Sequence, residues 1–210
     1  LASLLGVSYS RLIWAIRKSP PDSRYQTFRI PKRMGGTRQI ETPFPALKFV
    51  QRHLSRVLKN VYVVKPAVHG FTPKRSVVTN ARRHVKKKFV LNVHLKEFFP
   101  SINFGRVRGV LIAKPYNLDP IVSTAIAQIC CHDNHLRQGA PTSPILSNIV
   151  CASLDTQLQQ LAKQSRCTYT RYADDLTFST SLPEFPTDLA ISLGDGTEVD
   201  PISWTGLARN

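Results

Sequence analysis

RYADDLTFS, residues 171–179, sets two carboxylates, Asp174 and Asp175, side by side between apolar and β-branched residues. TYTRY before them and LTFST after them read as paired strands, with Ala173-Asp174-Asp175 at the turn. Two adjacent carboxylates repel one another. They are tolerated in water, or where a divalent cation neutralises them. Mg²⁺ is a hard ion that takes one or two carboxylates together with substrate phosphates. A solvated turn is the other reading, because Asp favours turns in its own right. The dipeptide alone leaves both open.

Upstream, the pattern alternates strands and helices. Residues 2–17 are expected to form an amphipathic helix, broken by SPPD at 19–22. YQTFRI (25–30) and TRQIET (37–42) flank Met34-Gly35-Gly36 and predict a small basic hairpin. Leu47, Val50, Leu54 and Leu58 recur at helical spacing over 45–59. A basic helix is expected over 76–88 and a buried strand over FVLNVHL (89–95). FGRVRGVLIA and PIVSTAIAQICC read as helices, and QGAPTSP (138–144) as a loop feeding one long helix from about Pro144 to Ala162. Strands interleaved with helices and closed by a hairpin indicate an α+β fold with an antiparallel sheet. Residues 181–210 hold Pro183, Pro186, Gly194, Gly196 and Pro201 and show no clear periodic element.

Charge narrows the partner. The chain carries 29 basic and 13 acidic residues, a net +16. Residues 181–210 hold five acids and one Arg, a net −4, which leaves +20 on residues 1–180. A charge of that size on one body favours a polyanion. Cys130, Cys131, Cys151 and Cys167 form no CxxC pair and no disulfide framework, as expected of reduced thiols in a cytosolic protein. Cys131, His132 and His135 lack a second half-site, so no zinc site is expected there. No run approaches ~18 uninterrupted apolar residues, so no membrane span or membrane partner is expected. The chain opens on Leu1 rather than Met, and an upstream piece is expected.

YADD followed by LTFS closely resembles the catalytic hairpin of reverse transcriptases. QGAPTSPILSN (138–148) resembles that family's nucleotide-facing loop and helix, and LKEFFPSIN (95–103) the segment after its first catalytic strand. IPKRMGGTRQIETP (30–43) resembles its fingers hairpin. HGFTPKRS with TNARRH (79–84) is similar to the retron subgroup, whose signature is Asn-Ala-x-x-His. Five blocks occur in the family's order between about residues 25 and 180. A group II intron maturase would need a further region after the palm, and TNARRH points to retrons instead.

The resemblance implies a right-hand polymerase: an N-terminal helical segment at 1–24, fingers at 25–90, palm at 91–180 and an acidic tail at 181–210. It implies RNA-directed DNA synthesis, with Mg²⁺ as the cofactor and Mn²⁺ as its alternate. Asp174 and Asp175 match the metal-binding acids. Lys32 and Arg38 match the residues that hold the incoming triphosphate, in keeping with basic side chains closing over phosphates. Phe99 matches the aromatic gate under the sugar. Glu97 and Phe98 match positions whose backbone lies near the triphosphate. Gln138 and Gly139 match the loop along the nucleotide, where Gly permits close backbone approach. The partners implied are a structured RNA that serves as template and primer, and dNTPs. A role in antiviral defence, an effector protein and a bacterial cytoplasmic setting follow by resemblance alone.

Two features depart from the family. Its first palm strand ends in an Asp five residues before the aromatic gate, and His94 stands there in this chain. That Asp normally binds both metals, so the resemblance makes His94 the third candidate catalytic and metal-ligating residue beside Asp174 and Asp175. Imidazole offers one lone pair, suits Zn²⁺ or Mn²⁺ better than Mg²⁺, and cannot bridge two ions. Nucleotidyl transfer is therefore expected to be weakened or lost, which makes a non-catalytic RNA-binding scaffold the alternative. The second departure is at the end. TGLARN (205–210) faintly resembles the start of the family's Gly-containing strand, and no thumb is expected in this chain.

For RNA contact the sequence offers Arg75, Arg82, Arg83, Lys86, Lys87 and Lys88. Cations grouped in this way release counterions from a phosphate backbone, so binding should weaken steeply with salt. Asn80 and His84 occupy the retron signature, either on RNA or as a helix cap and a packed ring.

Overall fold

The computed structural model describes residues 1–14, 24–31, 35–187 and 189, with the backbone of 191–192 and 199–200. They form two units, 1–63 with 97–150 and 64–96 with 151–210. Helices and antiparallel sheets are mixed, as the sequence pattern indicated. Among the described residues no helix is long and apolar enough to cross a membrane.

In the first unit, β1 (Tyr25–Pro31) and β2 (Thr37–Pro43) pair antiparallel, with Tyr25 opposite Pro43 and Pro31 opposite Thr37. Helix α2 (Pro45–Val61) buries Leu47, Val50, Leu54 and Leu58 and leaves Arg52, Arg56 and Lys59 exposed. That is the stripe expected of a 3.6-residue period. Gln51 lies on the buried face and is satisfied there: its Nε2 donates to the Tyr25 hydroxyl at 2.8 Å and to the Ile129 carbonyl at 2.7 Å. Helices α4 (Phe104–Ile112), capped by Asn103, and α5 (Pro120–Cys130), capped by Asp119, pack against one another. A short pair, β4 (Cys131–His132) with β5 (His135–Leu136), leads into α6 (Ser143–Val150).

The second unit is built on a three-stranded antiparallel sheet in the order β3 (Phe89–His94), β7 (Asp175–Thr180), β6 (Thr168–Tyr172). Helix α7 (Ala152–Gln164) packs on β6. Leu158, Ala162, Tyr169, Leu176 and Phe178 form the core. The outer edge of β6 is covered by residues 67–70. Arg171 N–H donates to the Ala67 carbonyl, and His69 N–H to the Arg171 carbonyl, each at 2.8 Å.

Four expected elements differ. The helix expected over 2–17 is confined, among the described residues, to α1 (Tyr9–Ile13). Gly6 has φ +62° and Ser8 caps the helix, so residues 2–6 form turns instead. The basic helix expected over 76–88 is only α3 (Val77–Ala81) with a 3-10 turn at Arg82–His84. The chain then becomes extended at Val85, and Lys86 turns to φ +60°. The strand over 89–95 is a sheet edge whose residues alternate half-buried and exposed, not a fully buried run. The long helix from Pro144 breaks between Val150 and Ala152 into α6 and α7.

Candidate active site

Strands β6 and β7 meet with Tyr172 opposite Asp175, leaving Ala173 and Asp174 as a two-residue turn. Ala173 takes φ +57°, the left-handed conformation that tight hairpins demand. Three ties hold this tip. The Arg171 guanidinium, fully buried, donates through Nη1 to the Ala173 carbonyl at 3.0 Å. Leu95 N–H donates to the Asp174 carbonyl at 2.9 Å. Gly70 lies so close beneath the turn that a Cβ there would overlap the Ala173 amide nitrogen.

Arg171 is itself fixed by Asp155 of α7. Its Nε and Nη2 donate to the two Asp155 oxygens at 2.7 Å each, and the Tyr169 hydroxyl donates to the same carboxylate at 2.9 Å. Burial works against the guanidinium charge. The hydrogen bonds and charge of Asp155 outweigh it and hold Arg171 above its ordinary pKa. The pair is wholly buried. Such pairs add little net stability, but losing one partner costs about 3–5 kcal/mol because the other charge is stranded.

His94 closes the outer side. It is the last residue of β3 and lies opposite Asp175 in the register. Its Nδ1–H donates to Asp175 Oδ1 at 2.9 Å, and its Nε2 stands 3.5 Å from Asp174 Oδ2. The side chains are 63% (His94), 36% (Asp174) and 58% (Asp175) exposed, so as an ion pair this contact is worth about 0–1 kcal/mol. One donor atom from each of the three lies within 4.8 Å of the others, close enough to hold a metal ion. The donor set does not fit two Mg²⁺ ions. With Nδ1–H committed to Asp175, the ring keeps one lone pair, whereas Mg²⁺ prefers oxygen and a bridging position needs two donor atoms.

The residues matched to nucleotide binding belong to the first unit. Arg38 is exposed on β2 opposite Ile30, and Lys32 lies outside the described residues. Glu97 is exposed at φ +50°, and Phe98 is buried. Phe99 packs half-buried on the first unit's core, its ring centroid 5.3 Å from that of Phe98. The Gln138 carbonyl accepts from Glu41 N–H at 2.8 Å, which docks the loop on β2. Gly139 has φ +118°, and a Cβ there would come within 2.8 Å of the Glu41 carbonyl. The loop of Gln138 and Gly139 thus docks at Ile40 and Glu41 of β2, the strand that also carries Arg38.

The residues matched to RNA belong to the second unit and divide into two kinds. Arg82, Arg83, Lys86 and Lys88 are exposed and Lys87 half-buried. Lys88 Nζ donates to the Pro183 carbonyl at 2.7 Å and sits 5.3 Å from the Phe89 ring centroid. Arg75 turns inward, its Nη1 donating to the carbonyls of Lys65, Pro66 and Val68. Asn80 and His84 are buried. The two His84 nitrogens meet Ser179 Oγ and Thr170 Oγ1 at 2.7 Å each, so the ring joins β7 to β6. Burial, then the charges of His69, Arg83 and Lys87, pushes the His84 pKa down to about 4. His69 Nδ1 meets Thr79 Oγ1 at 2.9 Å beside it.

Asp155, Arg171 and Gly70, which support the hairpin tip, carry no site signature in the sequence. The one available signal was an acid on the apolar face of a helix, at Asp155.

A family model described as reverse transcriptase (RNA-dependent DNA polymerase) matches residues 30–189. The chain is 41% identical over 197 residues to the retron Mx65 reverse transcriptase of Myxococcus xanthus, covering 85% of this chain and 46% of that protein. It is 39% identical over 207 residues to the retron Mx162 reverse transcriptase of the same organism, covering 89% and 42%. Against the retron Ec86 reverse transcriptase of Escherichia coli it is 37% identical over 161 residues, covering 75% and 49%. The chain spans about half the length of these curated relatives.

Proposed function

The chain belongs to the reverse transcriptase family, and from that premise we propose that it is the fingers and palm of a retron-type RNA-directed DNA polymerase, with nucleotidyl transfer weakened or lost through His94. The observation that carries this reading is the position of that ring, bonded to Asp175 and facing Asp174.

In this reading residues 25–90 act as fingers and 91–180 as palm. Lys32 and Arg38 hold the triphosphate of an incoming dNTP, and Gln138 and Gly139 lie along it with Glu97 and Phe98. Phe99 excludes a 2′-hydroxyl by shape. A structured RNA is template and primer, gripped at its phosphates by Arg82, Arg83, Lys86, Lys87 and Lys88. Arg75, Asn80 and His84 position that basic segment from within, which their inward bonds and burial support. Divalent metal is the family's cofactor, Mg²⁺ or Mn²⁺. Nothing in the donor set here supports a two-Mg²⁺ step, so none is assigned. The setting is the bacterial cytoplasm, and a defence effector protein is the further partner.

A second reading rests on the same ring. If His94 abolishes transfer, the chain is an RNA-binding scaffold of polymerase descent. Primer extension on an RNA template with Mg²⁺ separates the two. The chain and its His94→Asp variant would be compared, each alone and joined to the C-terminal remainder of a retron relative. Extension by the joined His94→Asp protein, with little or none from its His94 counterpart, is expected. Equal extension by both would sink the role given to His94. Silence from every protein would favour the scaffold.

A further inference from the structure

Arg137 follows β5 and opens the loop of Gln138 and Gly139, and each of its three side-chain nitrogens faces a protein acceptor. Nε donates to the His132 carbonyl at 3.0 Å and Nη2 to Asp133 Oδ2 at 2.6 Å. Nη1 stands 2.9 Å from Glu41 Oε2 on β2. The other Glu41 oxygen accepts from Gln39 Nε2 at 2.9 Å. A cation beside this loop could serve as a phosphate ligand, but here the guanidinium is spent on the protein itself. Arg137 and Glu41 are only 18% and 15% exposed, so salt screens their pairing less than the contact to Asp133, which is 66% exposed.

The backbone of the same residue is fixed as well. Ser143, the first residue of α6, donates its hydroxyl to the Arg137 carbonyl at 2.8 Å. One residue on, the Gln138 carbonyl accepts from Glu41 N–H. Glu41 therefore holds the loop twice, its amide on the loop backbone and its carboxylate on the loop's Arg. One backbone hydrogen bond contributes little net free energy, which leaves the ion pair to keep the loop seated.

We propose that Arg137 is a positioning residue for nucleotide binding: its ion pair with Glu41 seats the Gln138–Gly139 loop on the strand that carries Arg38. This rests on the nucleotide role given above to Arg38, Gln138 and Gly139. A loop fixed before its ligand arrives loses less conformational entropy on binding, so loosening it weakens affinity without removing a ligand contact. Asp133 and the His132 carbonyl aim the guanidinium at Glu41, a planar fork that an ammonium cannot reproduce.

The test is NMR on the ¹⁵N-labelled full chain. Solvent exchange of the amide at position 41 reports whether the loop is seated. Titration with dTTP and Mg²⁺, followed at the Gly139 amide, reports affinity. Arg137→Met should speed that exchange and weaken dTTP binding, each about 10-fold. Arg137→Lys keeps the charge and loses the fork, so it should lose most of that affinity too. Glu41→Gln should shift both readouts in the same direction. Combined with Arg137→Met it should do no more harm than the more severe single variant, because the two side chains act as one unit. Arg38→Ala should weaken dTTP binding and leave the exchange at its native rate. Urea midpoints verify folding, and Glu41→Gln carries the test if Arg137→Met does not fold. Native exchange in the position 137 and 41 variants, native affinity in Arg137→Lys, or additive losses in the double variant would each overturn the proposal. So would faster exchange with dTTP affinity unchanged. If the native chain and Arg38→Ala respond alike to dTTP, the nucleotide reading itself has failed. A loss at Arg38 with none at Arg137 fails this proposal alone.

Discussion

Two antiparallel hairpins carry the charges that matter, and they are built in opposite ways. Along β1 only Tyr25 is buried, and along β2 only Thr42 and Pro43. In β6 the run Tyr169–Arg171 is buried, and in β7 everything from Leu176 to Thr180. The first hairpin leaves Arg38 exposed to solvent, where the phosphate contact proposed for it would need no buried support. The second holds two like charges, which would splay apart on an unsupported turn. Its tip is therefore tied by Arg171, Gly70 and Leu95. A lone exposed cation needs no such support, whereas this pair of acids is held in place from behind.

The comparison is sharpest at Arg171. Arg171→Met should strand the Asp155 charge and lower stability by about 3–5 kcal/mol, read as a fall in the urea midpoint. Arg38→Ala on the open hairpin should change the same midpoint by no more than about 0.5 kcal/mol. A small effect at Arg171 would mean that the tip is held without its ion pair. Gly70→Ala comes next. Its methyl meets backbone rather than a yielding side chain, so a loss of about 1–3 kcal/mol is expected from overpacking.

The hairpin that carries the acids was legible because a period of two and an Asp-rich turn are local signals. The same holds for α2, whose apolar stripe needs only its own residues. What supports the tip was not legible. Arg171 reads as an outward charge on a strand until Asp155, sixteen positions earlier, is placed beneath it. The basic helix failed for a related reason. Local propensity continues through His84, but its ring is drawn between Thr170 and Ser179 and ends the helical turn. His94 was legible as a departure from a family pattern. Its split role, one nitrogen on each acid, required coordinates.

His84 offers a third contrast, with pH as the probe. Its folded pKa of about 4 lies below the ordinary 6.5, so the unfolded chain binds the extra proton first. Its contribution is complete above pH 6.5 and is lost as pH falls toward 4. Urea midpoints measured between pH 7 and 4.5 should fall more steeply for the native chain than for His84→Gln. Parallel curves would show that His84 is not held neutral.

The smallest effect on stability should carry the largest information on RNA. Arg82 and Arg83 are exposed and outside the packed core, so Arg82→Ala and Arg83→Ala should leave the urea midpoint within about 0.5 kcal/mol. If they contact phosphate, each loss should reduce the slope of log binding constant against log salt by about 1, with affinity falling similarly for unrelated RNA sequences. Arg75→Ala should do the reverse. Its guanidinium is spent on three backbone carbonyls, so removal should lower stability by about 1–3 kcal/mol and leave the salt slope near its original value. Measured together on one structured RNA, the three variants separate cations that touch the polyanion from one that only holds the loop beneath the acids. A salt slope that drops for Arg75→Ala as much as for Arg82→Ala would erase that division.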